Sequence, residues 1–380
     1  MIQRLSTVEL RKLNRTQIFR TVYDSERSIT KQDLAAKAGM SLPTVTQNLK
    51  ELFAADLLRY DGTEQSTGGR KPRLISINKA ARFAVGMELS PKHIRIAAVN
   101  LRQEVVASAR ISALFDHTDA YRKIYREELE KFLDANDLSR ERLLGVGITL
   151  PAIINTQASL IETAPVLSLH NFPIERLIEG IPYQTFVQND ASAGATAEWK
   201  MNPQLRKADA TAYLFLGKGV GGAFLFGDAP YEGKHNRSGE FGHMCIIPDG
   251  DRCACGKRGC LEAYCSTARL TDDLGIDLSE FFSQLERGNH RYDRIWEEYL
   301  CHLAQGLNLI FTAMDCEIII GGLLSPYLEP HLPRLWDKVL SLHPFASSTY
   351  ERNIFVSRCG ENANCVGAAA YFIDRFIRSI

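Results

Sequence analysis

The stretch from Gly217 to Ser266 decides the fold: GKGVGGAFLFGDAPYEGKHNRSGEFGHMCIIPDGDRCACGKRGCLEAYCS. It contains a histidine and three cysteines in the pattern His-x9-Cys-x-Cys-x4-Cys, which are His243, Cys253, Cys255 and Cys260. Three thiolates and an imidazole make a closed tetrahedral ligand set, and glycines between the cysteines let the chain fold back on itself. The pattern predicts one structural zinc ion, and the alternative is a group of unliganded core thiols.

The other cysteines do not extend this pattern. Nine cysteines are an odd number, which favours reduced thiols over a disulfide framework. Cys245 and Cys265 lie close to the motif in sequence but are less well placed for the metal. The remaining four are predicted to be small buried hydrophobic residues: Cys301, Cys316, Cys359 and Cys365.

Polar groups around the motif point to a ligand site. Glu240 and Glu262 flank the metal loop, where their carboxylates can bind hydroxyl groups, although isolated glutamates are often plain surface charges. The glycine-rich turn Leu216–Gly222 exposes amides that can cradle a phosphate. A tight hairpin uses glycines equally well, so the turn alone does not decide between these readings.

A second polar motif, Gln188-Asn189-Asp190, lies where a predicted strand meets a predicted helix. The Asp190 carboxylate can accept a proton from a sugar hydroxyl, and Asn189 can bind a second hydroxyl. An aspartate at a helix start is also a common N-cap, which is the structural alternative.

The chain from residue 81 to 380 reads as an α/β region with two related lobes around a cleft. Its short apolar strands alternate with helices, as in sheets covered by helices. The predicted elements include strands at Phe83–Met87, Ile94–Val99, Glu104–Ile111 and Leu144–Ile148, and a helix at Ala120–Asn136 that buries Ile124, Leu129, Phe132 and Leu133.

Residues 1–80 form a separate predicted domain with a helix-turn-helix pattern. Thr30 is a candidate N-cap of one short helix, Gly39 supplies the turn, and Ser41 caps a second helix. The second helix leaves four polar side chains outside, of types that contact bases and phosphates: Thr44, Thr46, Gln47 and Lys50.

A predicted hairpin follows, and its basic loop resembles the wing of a winged helix. The loop ends in Gly-Gly-Arg-Lys-Pro, where Arg70 and Lys71 are candidates for contact with the minor groove. The order of helix, turn, capped helix, hairpin and basic wing predicts binding to double-stranded DNA. A helical hairpin with a solvated basic loop, used for dimerisation, is the alternative.

Composition agrees with this division. Residues 1–80 carry 14 Lys and Arg against 8 Asp and Glu, while the whole chain has zero net charge. A basic first domain on an acidic body suggests that a polyanion meets only the first domain. No apolar run is long enough to span a bilayer, and the polar N-terminus is unlike a secretory signal, so we expect a cytoplasmic protein.

The combination resembles the ROK family, whose repressors and sugar kinases share an actin-like, two-lobed fold. The run Gly217–Ser266 matches the family's signature block almost continuously, and the winged helix matches its repressor branch. The resemblance implies a sugar between the lobes, held by Asn189, Asp190, Glu240, His243 and Glu262, with His243 also binding zinc. Asp190 would be the general base in a kinase member.

The chain departs from the kinase pattern where ATP binds. Kinase members carry Asp-x-Gly-x-Thr in the first hairpin, and this chain has Glu88-Leu89-Ser90-Pro91-Lys92. Pro91 removes an amide donor. Lys218 stands where a threonine is usual in the second phosphate turn, and Pro151-Ala152 replaces a Pro-Gly near the sugar.

We therefore expect a repressor of carbohydrate uptake or catabolism genes that binds a sugar or sugar derivative without phosphorylating it. It should form a homodimer or homotetramer, since helix-turn-helix domains read two half-sites as a symmetric pair. One rival is an ATP-dependent sugar kinase with a fused DNA-binding domain. Another is a repressor with a vestigial sugar site, controlled by a partner protein.

Overall fold

The computed structural model describes residues 6–25, 27–63, 72–345 and 351–380. Arg70 and Lys71, the predicted minor-groove residues, lie outside these ranges. Within them, no helix has both the length and the apolar character needed to cross a membrane.

The N-terminal part is a winged helix-turn-helix. Its elements are α1 (Thr7–Asp24), β1 (Ile29–Thr30), α2 (Lys31–Ala38), α3 (Leu42–Ala54), β2 (Leu58–Thr63) and β3 (Arg73–Ile77). The strands form a sheet in the order β1-β3-β2, of which β1 was not expected from the sequence.

Local chemistry explains the two helix starts and the turn between them. The Thr30 hydroxyl accepts a hydrogen bond from the Asp33 amide, and the Ser41 hydroxyl accepts one from the Thr44 amide. Gly39 ends α2 with a φ of +63°, a left-handed conformation that glycine adopts without steric cost. The predicted inward faces are buried: Leu34, Ala35, Val45, Leu49 and Leu52.

The first lobe follows with a mixed sheet in the order β11-β7-β4-β5-β6 and a smaller sheet in the order β10-β9-β8. Its elements are β4 (Phe83–Leu89), β5 (His93–Asn100), β6 (Val105–Ser112), α4 (Asp119–Ala135), β7 (Leu143–Leu150), β8 (Ile153–Asn155), β9 (Leu160–Ala164), β10 (Leu169–Pro173), α5 (Ile174–Ile178), β11 (Thr185–Asn189) and α6 (Asp190–Met201).

The second lobe contains a mixed sheet in the order β14-β13-β12-β15-β16. Its elements are β12 (Ala210–Leu216), β13 (Val220–Phe226), β14 (Ala229–Tyr231), α7 (Leu261–Cys265), α8 (Leu278–Glu286), α9 (His290–Met314), β15 (Glu317–Gly321), α10 (Ser325–Leu328), α11 (Leu332–Leu342) and β16 (Ile354–Val356). The chain then returns to the first lobe through α12 (Ala363–Ser379).

The two large sheets repeat one pairing pattern. Strand β4 is antiparallel to β5 and parallel to β7, and β12 is likewise antiparallel to β13 and parallel to β15. The outer strands continue the match, because β11 and β16 pair in parallel while β6 and β14 pair antiparallel. The prediction of a two-lobed α/β fold is confirmed.

Helices α6 and α12 pack closely against each other between the lobes. A Cβ atom at Gly367 would lie only 1.7 Å from the carbonyl oxygen of Ala193, so this crossing requires a glycine. The side of α12 turned away from the second lobe packs in one hydrophobic core with the winged helix. That core includes Phe372 and Ile377 of α12 together with Ile18 of α1.

Polar contacts strengthen this junction. The Arg15 guanidinium of α1 donates to the carbonyl of Ile380 at 2.9 Å, and Arg102 donates to the carbonyl of Tyr23. The winged helix and the body therefore share a continuous interface. The domain boundary near residue 80 stays a prediction.

Two sequence expectations about burial were wrong. Ile124 is 41% exposed, because the buried stripe of α4 follows Tyr121, Tyr125 and Leu129 at four-residue spacing. Cys301 is exposed on α9, whereas Cys316 and Cys365 are buried and Cys359 is half-buried.

Candidate ligand cleft and metal centre

The four residues of the predicted metal motif come together. One ligand atom from each of His243, Cys253, Cys255 and Cys260 lies within 4.8 Å of the others. The Cys255 and Cys260 sulfurs are 3.8 Å apart, and the Cys253 sulfur is 3.9 Å from His243 Nδ1. Tetrahedral zinc with Zn–S bonds of about 2.3 Å places its sulfur ligands about 3.8 Å apart. The cluster can hold a metal ion, and its donors and spacing fit zinc.

A close backbone approach shapes the loop that carries these ligands. Gly259 has a φ of +75°, and a Cβ atom there would lie 1.8 Å from the Ile247 carbonyl oxygen. The chain can turn back before Cys260 only because this position is a glycine.

His243 links the cluster to Glu240. Its Nδ1 faces Cys253, while its Nε2 lies 3.9 Å from a carboxylate oxygen of Glu240. Burial, and then the neighbouring charge of Glu262, raise the pKa of Glu240 above its usual value. The second ring nitrogen and the Glu240 carboxylate thus offer adjacent polar groups to a ligand.

Glu262 has structural partners of its own. Its Oε2 accepts a hydrogen bond from the Val220 amide at 2.9 Å, and its Oε1 lies 3.6 Å from the Cys253 sulfur. The carboxylate therefore joins the metal loop to the glycine-rich turn. A sugar-binding role for Glu262 stays a prediction.

The Asn189-Asp190 motif opens α6, but Asn189 rather than Asp190 is the N-cap. Asn189 Oδ1 accepts from the Ser192 amide at 2.9 Å, and its Nδ2 donates to the Ala152 carbonyl at 3.0 Å. Asp190 accepts from the Ala191 amide at 2.8 Å. Burial, and next the charge of Glu88, raise the pKa of Asp190 to about 7.

The hairpin turn that replaces the kinase phosphate motif is held closed. The Ser90 amide donates to the His93 carbonyl at 3.1 Å. Glu88 points inward, where it accepts from Asn364 Nδ2 at 2.9 Å and lies 3.5 Å from Arg95 Nε. Arg95 also contacts Glu361 at 2.8 Å. The Glu88 carboxylate is thus already partnered by a cation and an amide.

Sequence reasoning missed these partners of Glu88. Arg95 could have been found, since Glu88 and Arg95 face each other across the hairpin formed by β4 and β5. Asn364 lies on α12, hundreds of residues away in sequence, and no local sequence pattern predicts its contact with Glu88.

The glycine-rich turn also uses its own polar groups. The Gly217 amide donates to the Gly219 carbonyl at 3.0 Å, and the Val220 amide is bound by Glu262. Lys218, which replaces the family's usual threonine, pairs with Asp272 at 2.8 Å. This arrangement favours the tight-hairpin reading of the glycines.

A cleft of about 520 Å³ opens beside the start of α6. Asn189 and Glu240 lie on its wall, as does Ala152, the residue that replaces a family glycine. The volume falls within the range of small-molecule sites.

The candidate DNA-contacting face of α3 is exposed. Gln47 and Lys50 point to solvent, as does Thr46, whose hydroxyl donates to the Leu42 carbonyl at 2.7 Å. Thr44 is half-buried, and its hydroxyl lies 2.8 Å from that of Ser41. The Thr44 hydroxyl therefore already has a hydrogen-bond partner at the start of the helix.

Known proteins resemble this chain along nearly its whole length. The family model described as ROK family matches residues 84–375. The xylose repressor of Bacillus subtilis is 24% identical over 98% of this chain and 97% of its own length. A putative xylose repressor of Caldicellulosiruptor is 27% identical over 69% of this chain, and that match spans 65% of the relative.

Solved structures show the same fold. A ROK family transcriptional regulator, a homologue of the Escherichia coli MLC protein, matches 97% of both chains with a TM-score of 0.77 and 20% identity. A ROK family glucokinase from Streptomyces griseus matches 76% of this chain and 98% of its own, with a TM-score of 0.66 and 20% identity. The chain belongs to the ROK family, in the repressor branch that its full-length relatives represent.

Proposed function

We propose that this protein is a sugar-responsive transcriptional repressor of carbohydrate uptake or catabolism genes. It binds operator DNA through α3 and the wing, as a symmetric homodimer or homotetramer, and binds a sugar in the cleft without phosphorylating it. The residues proposed for the sugar are Asn189, Asp190, Glu240, His243 and Glu262, and those for DNA are Thr44, Thr46, Gln47, Lys50, Arg70 and Lys71.

The core shared by α1 and α12 carries this proposal. Helix α12 lines the ligand cleft on one side and packs against the DNA-binding part on the other. A ligand that shifts α12 therefore acts directly on the position of the helix-turn-helix. The names of the full-length relatives, which are xylose repressors, point the same way.

We also propose that the metal is zinc, held by His243, Cys253, Cys255 and Cys260. Its role is structural, since the four protein ligands leave no open position. The metal fixes the loop that presents Glu240 and His243 to the cleft.

DNA binding with and without sugar tests the proposal. Fluorescence anisotropy with the gene's own upstream region should show an affinity that falls steeply with salt and changes when a sugar is added. D-xylose, D-glucose and N-acetylglucosamine are the first ligands to use. No salt-sensitive binding to that DNA would overturn the repressor assignment.

A second candidate, an ATP-dependent sugar kinase, is favoured by one observation. An Asp190 pKa of about 7 suits a general base at neutral pH. The partnered Glu88 and the hydrogen-bonded glycine turn favour the non-catalytic alternative.

A further inference from the structure

The cleft continues beyond Asn189 and Glu240 as a groove along α12. Five residues of α12 line it at positions i, i+4, i+7, i+8 and i+11, which fall on one side of a helix: Gly367, Tyr371, Asp374, Arg375 and Arg378. This side is about 16 Å long at the rise of an α-helix. Ser192 and Thr196 of α6 line the groove as well, and the hairpin of β13 and β14 lines the side facing α12. A single pyranose ring would leave much of the groove open.

The charges of the groove do not favour an anionic ligand. Arg378 pairs with Asp228 at 3.3 Å, which ties α12 to the turn between β13 and β14 and limits the groove there. Arg375 shares the lining with the acidic side chain of Glu232, and Asp374 in the same lining pairs with Lys200 at 2.6 Å. A neutral, hydroxyl-rich ligand suits this mixture better than a phosphate or carboxylate.

Two tyrosine rings stand in the groove with fixed orientations. Tyr371 stacks on Phe186 with ring centres 3.8 Å apart and is 36% exposed. Tyr231 is held edge-on by Phe226 at 5.5 Å and is 54% exposed. Exposed aromatic faces pack against the apolar C–H faces of sugar rings, while nearby hydroxyls and carboxylates bind the ring hydroxyls.

We propose that this groove, lined by Tyr231, Tyr371, Ser192 and Thr196, is a second sugar subsite. It accepts a ring joined by a glycosidic bond to the ring held at Asn189 and Glu240, so the effector is a disaccharide or longer oligosaccharide. This inference rests on the proposed sugar-binding function.

Calorimetry on the full-length, zinc-loaded protein tests the inference with matched pairs of ligands. The pairs are xylose with xylobiose, glucose with maltose and with cellobiose, and N-acetylglucosamine with diacetylchitobiose. In one pair the disaccharide should bind at least tenfold more tightly than its monosaccharide, which corresponds to about 1.4 kcal/mol. Tyr231→Ala should remove this advantage and leave the monosaccharide affinity unchanged.

Three further variants test whether the tyrosine rings cause the tighter binding of the disaccharide. Tyr231→Phe keeps the ring and should keep the advantage, and Tyr371→Leu should lose it. Tyr60→Ala removes a tyrosine that is 47% exposed on β2 of the winged helix and does not line the cleft, and should change neither affinity.

The outcomes separate the two proposals. If a monosaccharide binds as tightly as its disaccharide in every pair, or if Tyr231→Ala weakens both equally, the second subsite is wrong and sugar binding stands. If no sugar of either length binds, both proposals are overturned.

Discussion

Glu262 joins the metal cluster to the glycine-rich turn, because its Oε2 accepts a 2.9 Å hydrogen bond from the buried amide of Val220. Its other oxygen lies 3.6 Å from the Cys253 sulfur. The carboxylate thus couples two loops that the sequence presents as separate motifs.

Replacing Glu262 should therefore lower stability. Glu262→Ala leaves the Val220 amide without an acceptor, which costs about 1–3 kcal/mol for a buried group. Glu262→Gln keeps an acceptor oxygen and should lose much less. Chemical denaturation of the two variants and the parent protein measures the difference, and equal stability of the alanine variant would contradict the coupling.

Removing a thiol ligand should remove the metal. We expect one zinc ion per chain in the parent protein and none, or far less, in Cys255→Ser, with a lower melting temperature and a weaker response to sugar. Cys301→Ser is the matched control, since Cys301 is exposed on α9 outside the cluster. Elemental analysis that finds no zinc in a folded, sugar-responsive parent protein would falsify the structural role.

We expect the exposed face of α3 to make two kinds of contact with DNA, one with phosphates and one with bases. Lys50→Ala should weaken binding to all DNA sequences and reduce the slope of log affinity against log salt by about 1. Gln47→Ala should instead relax the preference among bases. Anisotropy titrations with operator and scrambled DNA distinguish them, and Lys123→Ala, on α4 outside the winged helix, should have no effect.

Local patterns were enough to predict most of the elements and the metal motif. The helix caps and the turn depend on contacts with residues close by in sequence, at Thr30, Gly39 and Ser41. Helix propensity and capping patterns therefore predict the helix-turn-helix. The metal ligands lie in one short stretch with turn-forming glycines, and the spacing brings them together.

Contacts between distant parts of the chain could not be predicted in this way. Asn364 reaches Glu88, and Ile380 accepts a hydrogen bond from Arg15, only because α12 returns from the end of the chain to the first lobe. On α4, Tyr121 rather than Ile124 lies on the buried face. Packing against distant parts of the chain, rather than hydropathy alone, decides which face of this helix turns inward.

The Asp190 carboxyl should make stability depend on pH. Its pKa of about 7 lies above the usual 3.8, so the folded state holds a proton that the unfolded state releases between about pH 4 and 7. Its contribution therefore makes stability fall as pH rises through this window. Asp190→Asn should remove that cost and be more stable than the parent protein at pH 8 but not at pH 4. Unfolding curves at the two pH values measure the effect, and an equal advantage at both would contradict it.

Phosphoryl transfer is not expected here, because several polar groups of this site already have partners within the protein. Such a site positions the γ-phosphate with backbone donors, a metal ion and a base. Asp190 can serve as the base, but Glu88 is bound by Asn364 and lies beside Arg95, and the Gly217 and Val220 amides donate to acceptors within the protein. A phosphate would have to displace these contacts before it could be held by the same groups.

We therefore expect that a sugar binds without ATP and that no sugar phosphate accumulates. The measurement is ATP consumption with whichever sugar stabilises the protein, beside Asp190→Asn as the control for contaminating kinases. Arg95→Leu provides a further check, because it leaves Glu88 without its cation and should lower stability without creating activity. Turnover near ~1 per second, a rate usual for kinases, that disappears in Asp190→Asn would establish catalysis and overturn the non-catalytic assignment, while leaving the DNA-binding assignment untouched.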